Sequence, residues 1–325
     1  PSSLVGSEMC IRDRFNNISD LQLSSMLEEV ISNIKEVAYF WSTVCSDNKG
    51  TSKTPAEGEE WLGGPFAAVL ATQYYIDTLQ SNEDLSLKSY NEEENSYKVF
   101  PNKFIERLTF PFIDAKVYFN KSMSFDDINK FRGFSKRYDI DPSITLALGA
   151  GNFSSIPYLD VLYHLITRRS VILLKLNPVN DYLKPVFEKV FQNFIERGYV
   201  IVSTGNVYES KFMANQGVDH IHLTGSDKTF EEIVYGRHLN DKERKLKNLT
   251  KLNTKNITSE LGNVTPIIIH PGNWSTSDIK YQARKIVTGK LNNNGFNCIA
   301  AQVIVLPDGW GQTDTLIKYI KFYMN

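Results

Sequence analysis

Short apolar segments alternate with helical segments through the middle of this 325-residue chain, and this alternation constrains the fold more than any other feature. Strands that alternate with helices at this spacing form a parallel sheet covered by helices on both faces. We therefore predict an α/β fold whose ligand site lies beyond the carboxyl ends of the strands. The predicted strands are Ile144–Leu148, Val171–Leu174, Val200–Ser203, His220–Leu223 and Thr265–Ile269.

Helical spacing predicts the connecting and flanking helices. Apolar residues recur every three or four positions from Asp20 to Val44, with Asp20 as the predicted cap, and a second helical segment runs from about Pro65 to Leu79. Between the strands, one helix is expected from Pro157 to about Thr167, and another from a cap at Asn180 to Glu196.

The two ends of the chain call for separate treatment. Residues Pro1 to Arg14 resemble translated sequencing-adapter read-through, so we expect them to be non-native and exclude them from the prediction of the fold. The last residues, Thr313 to Tyr323, have the pattern of an unfinished helix. The sequence is therefore expected to be a fragment of a longer protein.

Composition excludes several classes of function. A hydrophobic content of 42%, a charged content of 22% and a net charge of -1 indicate a soluble globular protein and give no electrostatic case for nucleic-acid binding. No apolar run approaches the roughly 20 residues that a membrane-spanning helix needs, so we expect a cytoplasmic protein without membrane contact. The three cysteines and five histidines form no disulfide framework or zinc pattern, and the pair His220 and His222 is interpreted as structural, with no metal site.

Polar residues follow two of the predicted strands where each strand ends. Asn152 comes after the turn Gly149-Ala150-Gly151, where its amide can donate to a developing oxyanion or bond its own turn backbone. Lys175 follows the next strand, where a cation suits a phosphate or a ribose, or only reaches solvent.

Three further segments carry residues with chemical potential. Gly225 and Ser226 precede a helix, where they can bind a pyrophosphate or act as a plain N-cap. Glu260 stands before Gly262 at a strand edge, where a carboxylate can activate water. Cys298 ends the loop Asn293-Asn294-Gly295-Phe296-Asn297-Cys298, which presents a thiol that can act as a nucleophile or as a small buried hydrophobe.

Taken in order, these segments resemble the aldehyde dehydrogenase superfamily. That family has an oxyanion-hole asparagine, a strand lysine, a Gly-Ser turn, a Glu-Leu-Gly-Gly base motif and an Asn-x-Gly-x-x-Cys nucleophile loop in the same order. The matching elements are Asn152, Lys175, Gly225-Ser226, Glu260-Leu261-Gly262 and Asn293 to Cys298. The resemblance is clearest between Leu146 and Leu306.

The chain also departs from the family pattern at several positions. Pro178 stands where the family often has a glutamate that binds ribose hydroxyls, so NAD and NADP both stay open as cofactor. Asn263 replaces the second glycine of the base motif, Phe230 replaces a common glycine, and Phe296 replaces a common glutamine. These choices indicate a divergent branch of the family.

The resemblance implies a Rossmann-like cofactor domain over residues 15–262 and the beginning of a second α/β catalytic domain over residues 263–325. It also implies NAD(P)-dependent oxidation of a small aldehyde to a carboxylic acid. Cys298 would be the nucleophile, Asn152 the oxyanion donor and Glu260 the general base, while Lys175, Gly225, Ser226 and Gly262 would bind the cofactor.

Alternatives remain at this point. An acyl-CoA or acyl-phosphate reductase on the same scaffold would form the same thioester, and a non-catalytic nucleotide-binding relative or an inactive fragment would keep the fold without the chemistry. Family members are commonly dimers or tetramers, so a homo-oligomer is expected for the full-length parent.

Overall fold

The computed structural model of the protein describes residues 11–80, 89–101, 103–131, 141–214, 217–246 and 248–325. Its strands are β1 Tyr90–Asn91, β2 Ser96–Phe100, β3 Ala115–Tyr118, β4 Ser143–Leu148, β5 Ser170–Lys175, β6 Val200–Ser203, β7 His220–Gly225, β8 Asn256–Leu261, β9 Pro266–Ile268 and β10 Val303–Val305.

The helices lie before, between and after these strands. In chain order they are α1 Asp20–Lys49, α2 Glu57–Trp61, α3 Ala67–Gln80, α4 Phe104–Thr109, α5 Phe125–Phe131, α6 Ile156–Thr167, α7 Lys184–Val190, α8 Gln192–Glu196, α9 Val207–Ala214, α10 Asp227–Tyr235, α11 Asp241–Arg244, α12 Thr276–Leu291 and α13 Thr313–Met324. None of the described helices is long and apolar enough to cross a membrane.

The central layer is a five-stranded sheet in the order β6-β5-β4-β7-β8, and every neighbouring pair is parallel. Because successive side chains on a strand point to opposite faces, Ala147 belongs to one core while Leu146 and Leu148 belong to the other. The helices α1, α3, α6, α7 and α8 contribute to the first core, and α9 and α10 to the second. The predicted parallel α/β sheet with helices on both faces is confirmed.

The long helix α1 has sequence-encoded ends. Ser19 is its N-cap and forms a capping box with Gln22, so the predicted cap at Asp20 is one residue late. The helix ends at Gly50, whose φ of 68° is the left-handed conformation that glycine adopts without a side-chain clash. Its apolar face, including the fully buried Leu27 and Trp41, packs against the helices α3 and α7 within the first core.

The predicted fifth strand was assigned to the wrong sheet. Residues Pro266–Ile268 pair in parallel with Val303–Val305 in a separate two-stranded sheet, and Asn256–Leu261 forms the fifth strand of the central sheet instead. The strand Asn256–Leu261 escaped prediction because it lies at the sheet edge with every residue at least partly exposed, and therefore has no apolar run. A third core, which includes Ile269, Ile286 and Leu316, lies against the small sheet.

Other expectations require smaller corrections. Asn180 does not cap a helix to Glu196, because Asn177 caps a 3-10 turn over Pro178–Leu183 and helices α7 and α8 follow separately. Asn180 instead donates its side-chain amide to the Ala150 carbonyl across 3.1 Å.

Most of the suspected adapter segment, residues 1–14, lies outside the residues that the structure describes. Residues 1–10 lie outside the described residues, whereas Ile11 packs against the first core and Arg12 lies 3.7 Å from the Asp219 carboxylate. Its foreign origin stays a prediction.

Candidate active site

The carboxyl ends of the parallel strands gather the predicted site residues at one edge of the central sheet. Lys175 ends β5 and pairs in register with Leu148 of β4 on one side and Ser203 of β6 on the other. Gly225 ends β7 and pairs with Leu261 of β8. Ligands of open α/β sheets bind at this edge.

Asn152 connects this edge to the loop that carries the thiol. Its side-chain Nδ2 donates to the Phe296 carbonyl across 3.0 Å, and its own carbonyl accepts from Asn293 Nδ2 across 3.1 Å. The alternative of an asparagine that bonds only its own turn is therefore wrong. Asn152 is thus hydrogen-bonded to Phe296, which lies 144 positions later in the chain and two residues before Cys298.

Cys298 is exposed, and its Sγ lies 3.8 Å from Oδ1 of Asn297. It is therefore not the small buried hydrophobe of the alternative interpretation. Cys45 has the opposite environment, since it is fully buried, and this burial raises the pKa of its thiol to about 11. A thiol with that pKa is protonated at neutral pH, so between these two free cysteines Cys298 is the accessible one.

Lys175 is buried rather than solvated. Only 4% of it is exposed, and this burial lowers the pKa of its ammonium, with partial compensation from Asp181 and Glu209. Within residues 11–325 as described, its Nζ makes no hydrogen bond or ion pair, so the charge is available to an anionic or hydroxylated ligand.

Gly225 and Ser226 lie where β7 turns into α10. Ser226 caps the helix, and its Oγ accepts from the Thr229 backbone N-H across 3.1 Å. The plain N-cap role is therefore present, and the exposed first turn of the helix adds the dipole that favours an anion.

Glu260 is exposed within β8, where it stands opposite Thr224, and Gly262 follows at the exposed end of the strand. Across the described part of the chain, the Glu260 carboxylate forms no hydrogen bond or ion pair, including none with Asn152 or Cys298. The structure thus brings Glu260 to the same edge of the sheet, without a hydrogen bond to the thiol loop.

Two of the four departures from the family pattern have a local structural role, and the other two are exposed. Pro178 opens the 3-10 turn that Asn177 caps, and Phe230 packs against the second core. Asn263 is exposed, and Phe296 is 66% exposed beside the thiol.

No sequence pattern pointed to the residues that hydrogen-bond the first residue of the thiol loop, Asn293. Lys49, at the end of α1, donates to Glu60 and to Oδ1 of Asn293, each across 2.8 Å. Glu59 accepts from the Asn293 backbone N-H across 2.6 Å. Only Asn293 carried a sequence signal, as the first residue of the thiol motif.

The described residues contain no group of three or more His, Cys, Asp or Glu side chains able to hold a metal ion. His220 and His222 lie on β7, and Thr258 lies on the neighbouring strand β8. His220 Nε2 and His222 Nδ1 both hydrogen-bond the Thr258 hydroxyl, at 3.0 and 2.8 Å. The chemistry that this edge offers is therefore that of an exposed thiol, an amide donor, a free carboxylate and a buried ammonium.

Comparison with known proteins finds similarity to one family over part of the chain. The model of the aldehyde dehydrogenase family matches residues 185–320, a range that includes Glu260 and Cys298 and starts after Asn152 and Lys175. Aldehyde dehydrogenase family 3 member A2 from Macaca fascicularis is 24% identical over 162 residues, which are 50% of this chain and 30% of that protein. The chain thus spans about a third of the length of such curated relatives.

Solved structures share the fold over most of the chain. The substrate-bound Staphylococcus aureus AldH aligns with a TM-score of 0.61 at 13% identity, covering 98% of this chain and 58% of that one. The glyceraldehyde-3-phosphate dehydrogenase GapN of Methanocaldococcus jannaschii, complexed with NADP, aligns with a TM-score of 0.57 at 15% identity, covering 96% and 55%. The chain is thus similar to the aldehyde dehydrogenase family over residues 185–320, and it shares the fold of solved aldehyde dehydrogenases over most of its length.

Proposed function

We propose that this chain carries the cofactor site and nucleophile loop of an NAD(P)-dependent enzyme that oxidises an aldehyde to a carboxylic acid through a thioester on Cys298. The observation that carries the proposal is the 3.0 Å hydrogen bond from Asn152 Nδ2 to the Phe296 carbonyl. This bond holds an amide donor two residues from an exposed thiol, at the edge of the sheet where the cofactor residues also lie.

The residues at this edge fit a dinucleotide. A buried ammonium without a partner among the described residues suits a ribose or a phosphate oxygen, which supports a cofactor role for Lys175. The first turn of α10 after Gly225 and Ser226 suits a pyrophosphate, and Gly262 offers open space for close approach. NAD(P) bound there would supply the hydride acceptor that the oxidation needs.

The remaining steps belong to the side chains of this chain. Cys298 Sγ, as thiolate, attacks the aldehyde carbonyl, and the resulting oxyanion accepts hydrogen bonds from the Cys298 backbone N-H and from Asn152. Asn152 Nδ2 carries two protons, and the bond to Phe296 uses one of them, which leaves the other for the oxyanion. After hydride loss the carbon is held as a thioester on Sγ.

Glu260 is the proposed general base for cleavage of that thioester. Its exposed carboxylate is free of protein partners among the described residues, so it can take a proton from water that attacks the acyl carbon. This retained carboxylate favours hydrolysis over transfer of the acyl group to coenzyme A or phosphate.

Replacement of the thiol tests the proposal. The wild-type chain and Cys298→Ser are assayed for NAD(P)H formation with a panel of aldehydes, with and without coenzyme A, beside Cys45→Ala as the matched thiol control. We expect turnover in the wild type and in Cys45→Ala, and a loss of at least about 1,000-fold in Cys298→Ser because a hydroxyl is a far weaker nucleophile.

Other results would point elsewhere. Turnover that depends on coenzyme A identifies the acyl-transfer chemistry instead of hydrolysis. If the wild-type chain shows no turnover and NAD(P) leaves the alkylation rate of Cys298 unchanged, the enzymatic proposal fails in favour of a non-catalytic relative. A Cys298→Ser variant that turned over normally would show that the nucleophile is another residue.

A further inference from the structure

A polar network of four side chains lies beneath the thiol loop and connects it to the N-terminal helices. Its members are Lys49, Glu59, Glu60 and Asn293. Lys49 Nζ lies 2.8 and 3.0 Å from the two carboxylate oxygens of Glu60, and the side chains are only 14% and 5% exposed. In such a place each charge depends on the other, since a buried charge without its counter-charge is strongly unfavourable.

Asn293 is the point where the network meets the loop. It is 3% exposed, and all its polar groups are engaged: Oδ1 accepts from Lys49, Nδ2 donates to the Asn152 carbonyl, its N-H donates to Glu59, and its carbonyl accepts from the Phe296 N-H at 2.9 Å. Its φ of 52° lies in the left-handed region. Asparagine tolerates this conformation better than most other non-glycine residues, and here hydrogen bonds from all its polar groups hold it in place.

The same hydrogen bonds form a closed ring that includes Asn152 and lies just before Cys298 in the loop. Asn293 binds the Asn152 carbonyl, the Asn152 amide binds the Phe296 carbonyl, and the Phe296 N-H returns to the Asn293 carbonyl. The conformation of Asn293 therefore sets both the start of the loop and the orientation of the amide donor.

We propose that Lys49 and Glu60 are positioning residues, which act through Asn293 to hold the oxyanion donor Asn152 in register with the loop that carries Cys298. Lys49 fixes the Asn293 side chain by its Oδ1, and Glu60 holds the ammonium in place. The catalytic meaning of this inference rests on the proposed function, whereas its structural content does not.

An ordinary ion pair that only joins α1 to α2 is the competing explanation. It predicts a loss of global stability without a specific effect at residues 292–298. The two explanations therefore differ in where the effect of a substitution appears.

The experiment compares Lys49→Met, Glu60→Gln and the charge-conserving Lys49→Arg with wild type. Lys189→Met serves as control, because Lys189 binds Glu36 on the same long helix at 2.9 Å, away from the loop. Hydrogen exchange resolves the amides of Asn293 and Phe296, iodoacetamide measures the alkylation rate of Cys298, and thermal unfolding reports global stability. With an aldehyde substrate, kcat and KM for NAD(P) are measured separately.

We expect exchange at Asn293 and Phe296 to accelerate at least about tenfold in Lys49→Met and Glu60→Gln, with an altered alkylation rate of Cys298. Lys49→Arg should stay within about threefold of wild type because it keeps the charge, and Lys189→Met should leave the loop unchanged. In turnover, we expect kcat to fall by about 100-fold while KM for NAD(P) changes little, as a displacement of about 1 Å would cause.

Each result decides one question. Loop exchange in Lys49→Met equal to wild type overturns the inference, and so does loop exchange that rises while kcat stays unchanged. If the wild type has no turnover but the loop amides and Cys298 respond as expected, the proposed function fails and the positioning of the loop by Lys49 is supported.

Discussion

At the scale of single residues, His164 stands apart because it is buried and lacks partners. It is 1% exposed, and neither ring nitrogen has a hydrogen-bond partner in the described part of the chain. Its ring lies 5.2 Å from that of His220 and 5.0 Å from that of His222. Burial, with a smaller effect from these neighbours, lowers the pKa of His164 to about 3.

This pKa makes a prediction about stability and pH. The unfolded chain binds a proton at His164 below a pH of about 6.5, whereas the folded chain stays neutral to about 3, so stability is lost as the pH falls through that window. His164→Phe removes the titrating group and two unsatisfied nitrogens. We expect this variant to have a free energy of unfolding about 1 kcal/mol higher than wild type at pH 7. Between pH 7 and pH 5, the free energy of unfolding should fall by about 2 kcal/mol less in the variant than in wild type.

Urea unfolding at the two pH values measures this effect. His238→Gln is the control for the substitution of a surface histidine, because the His238 side chain is 58% exposed. An unaltered difference between pH 7 and pH 5 in His164→Phe would show that other groups cause the acid sensitivity.

At the scale of secondary-structure elements, the N-terminus of α10 has one observed role and one proposed role, which mutation can separate. Ser226 caps the helix through Thr229, and the same turn is the proposed pyrophosphate site. Ser226→Ala should cost about 1 kcal/mol of stability through loss of the cap. Ser226→Asp keeps an N-cap acceptor but places a negative charge beside a bound phosphate, so it should preserve stability and weaken NAD(P) binding by at least about tenfold.

Thermal unfolding and NAD(P) titration of the same two variants check this prediction. An Asp variant that binds NAD(P) as tightly as wild type would remove Ser226 from the cofactor site and leave only its capping role.

The elements also show which parts of the fold the sequence predicts. Strands β4 and β5 are apolar on both faces because helices cover the sheet, so their composition identified them and placed Asn152 and Lys175 at their ends. The edge strand β8 is partly exposed throughout, so periodicity gave no signal, and only the family motif drew attention to Glu260.

The residues proposed to position the site, Lys49 and Glu60, could not be found from the sequence. Lys49 and Asn293 are separated by 244 positions, and Lys49 and Glu60 have the residue types of a solvated surface. Their burial results from the packing of α1 and α2 against the loop, which no local pattern encodes. Sequence reasoning therefore reached the residues proposed to react and missed those proposed to hold them.

At the scale of the whole molecule, the apolar cores separate along the chain. The first two cores lie on either side of the central sheet, while the third is built from residues 267–323 around the two-stranded sheet. The expected change of domain near residue 263 stays a prediction. The thiol loop lies within the second part and contacts the first through Asn293 and Asn152.

Substitution of Leu316 tests whether the two parts unfold independently. Leu316 is fully buried in the third core, so Leu316→Ala should cost about 2–5 kcal/mol in that core. If the boundary near residue 263 is correct, hydrogen exchange should accelerate in α12 and α13 while β4 and β5 keep their protection, since cooperative units open separately. An equal loss of protection in β4 and β5 would instead identify a single cooperative unit, in which loop and cofactor edge unfold together.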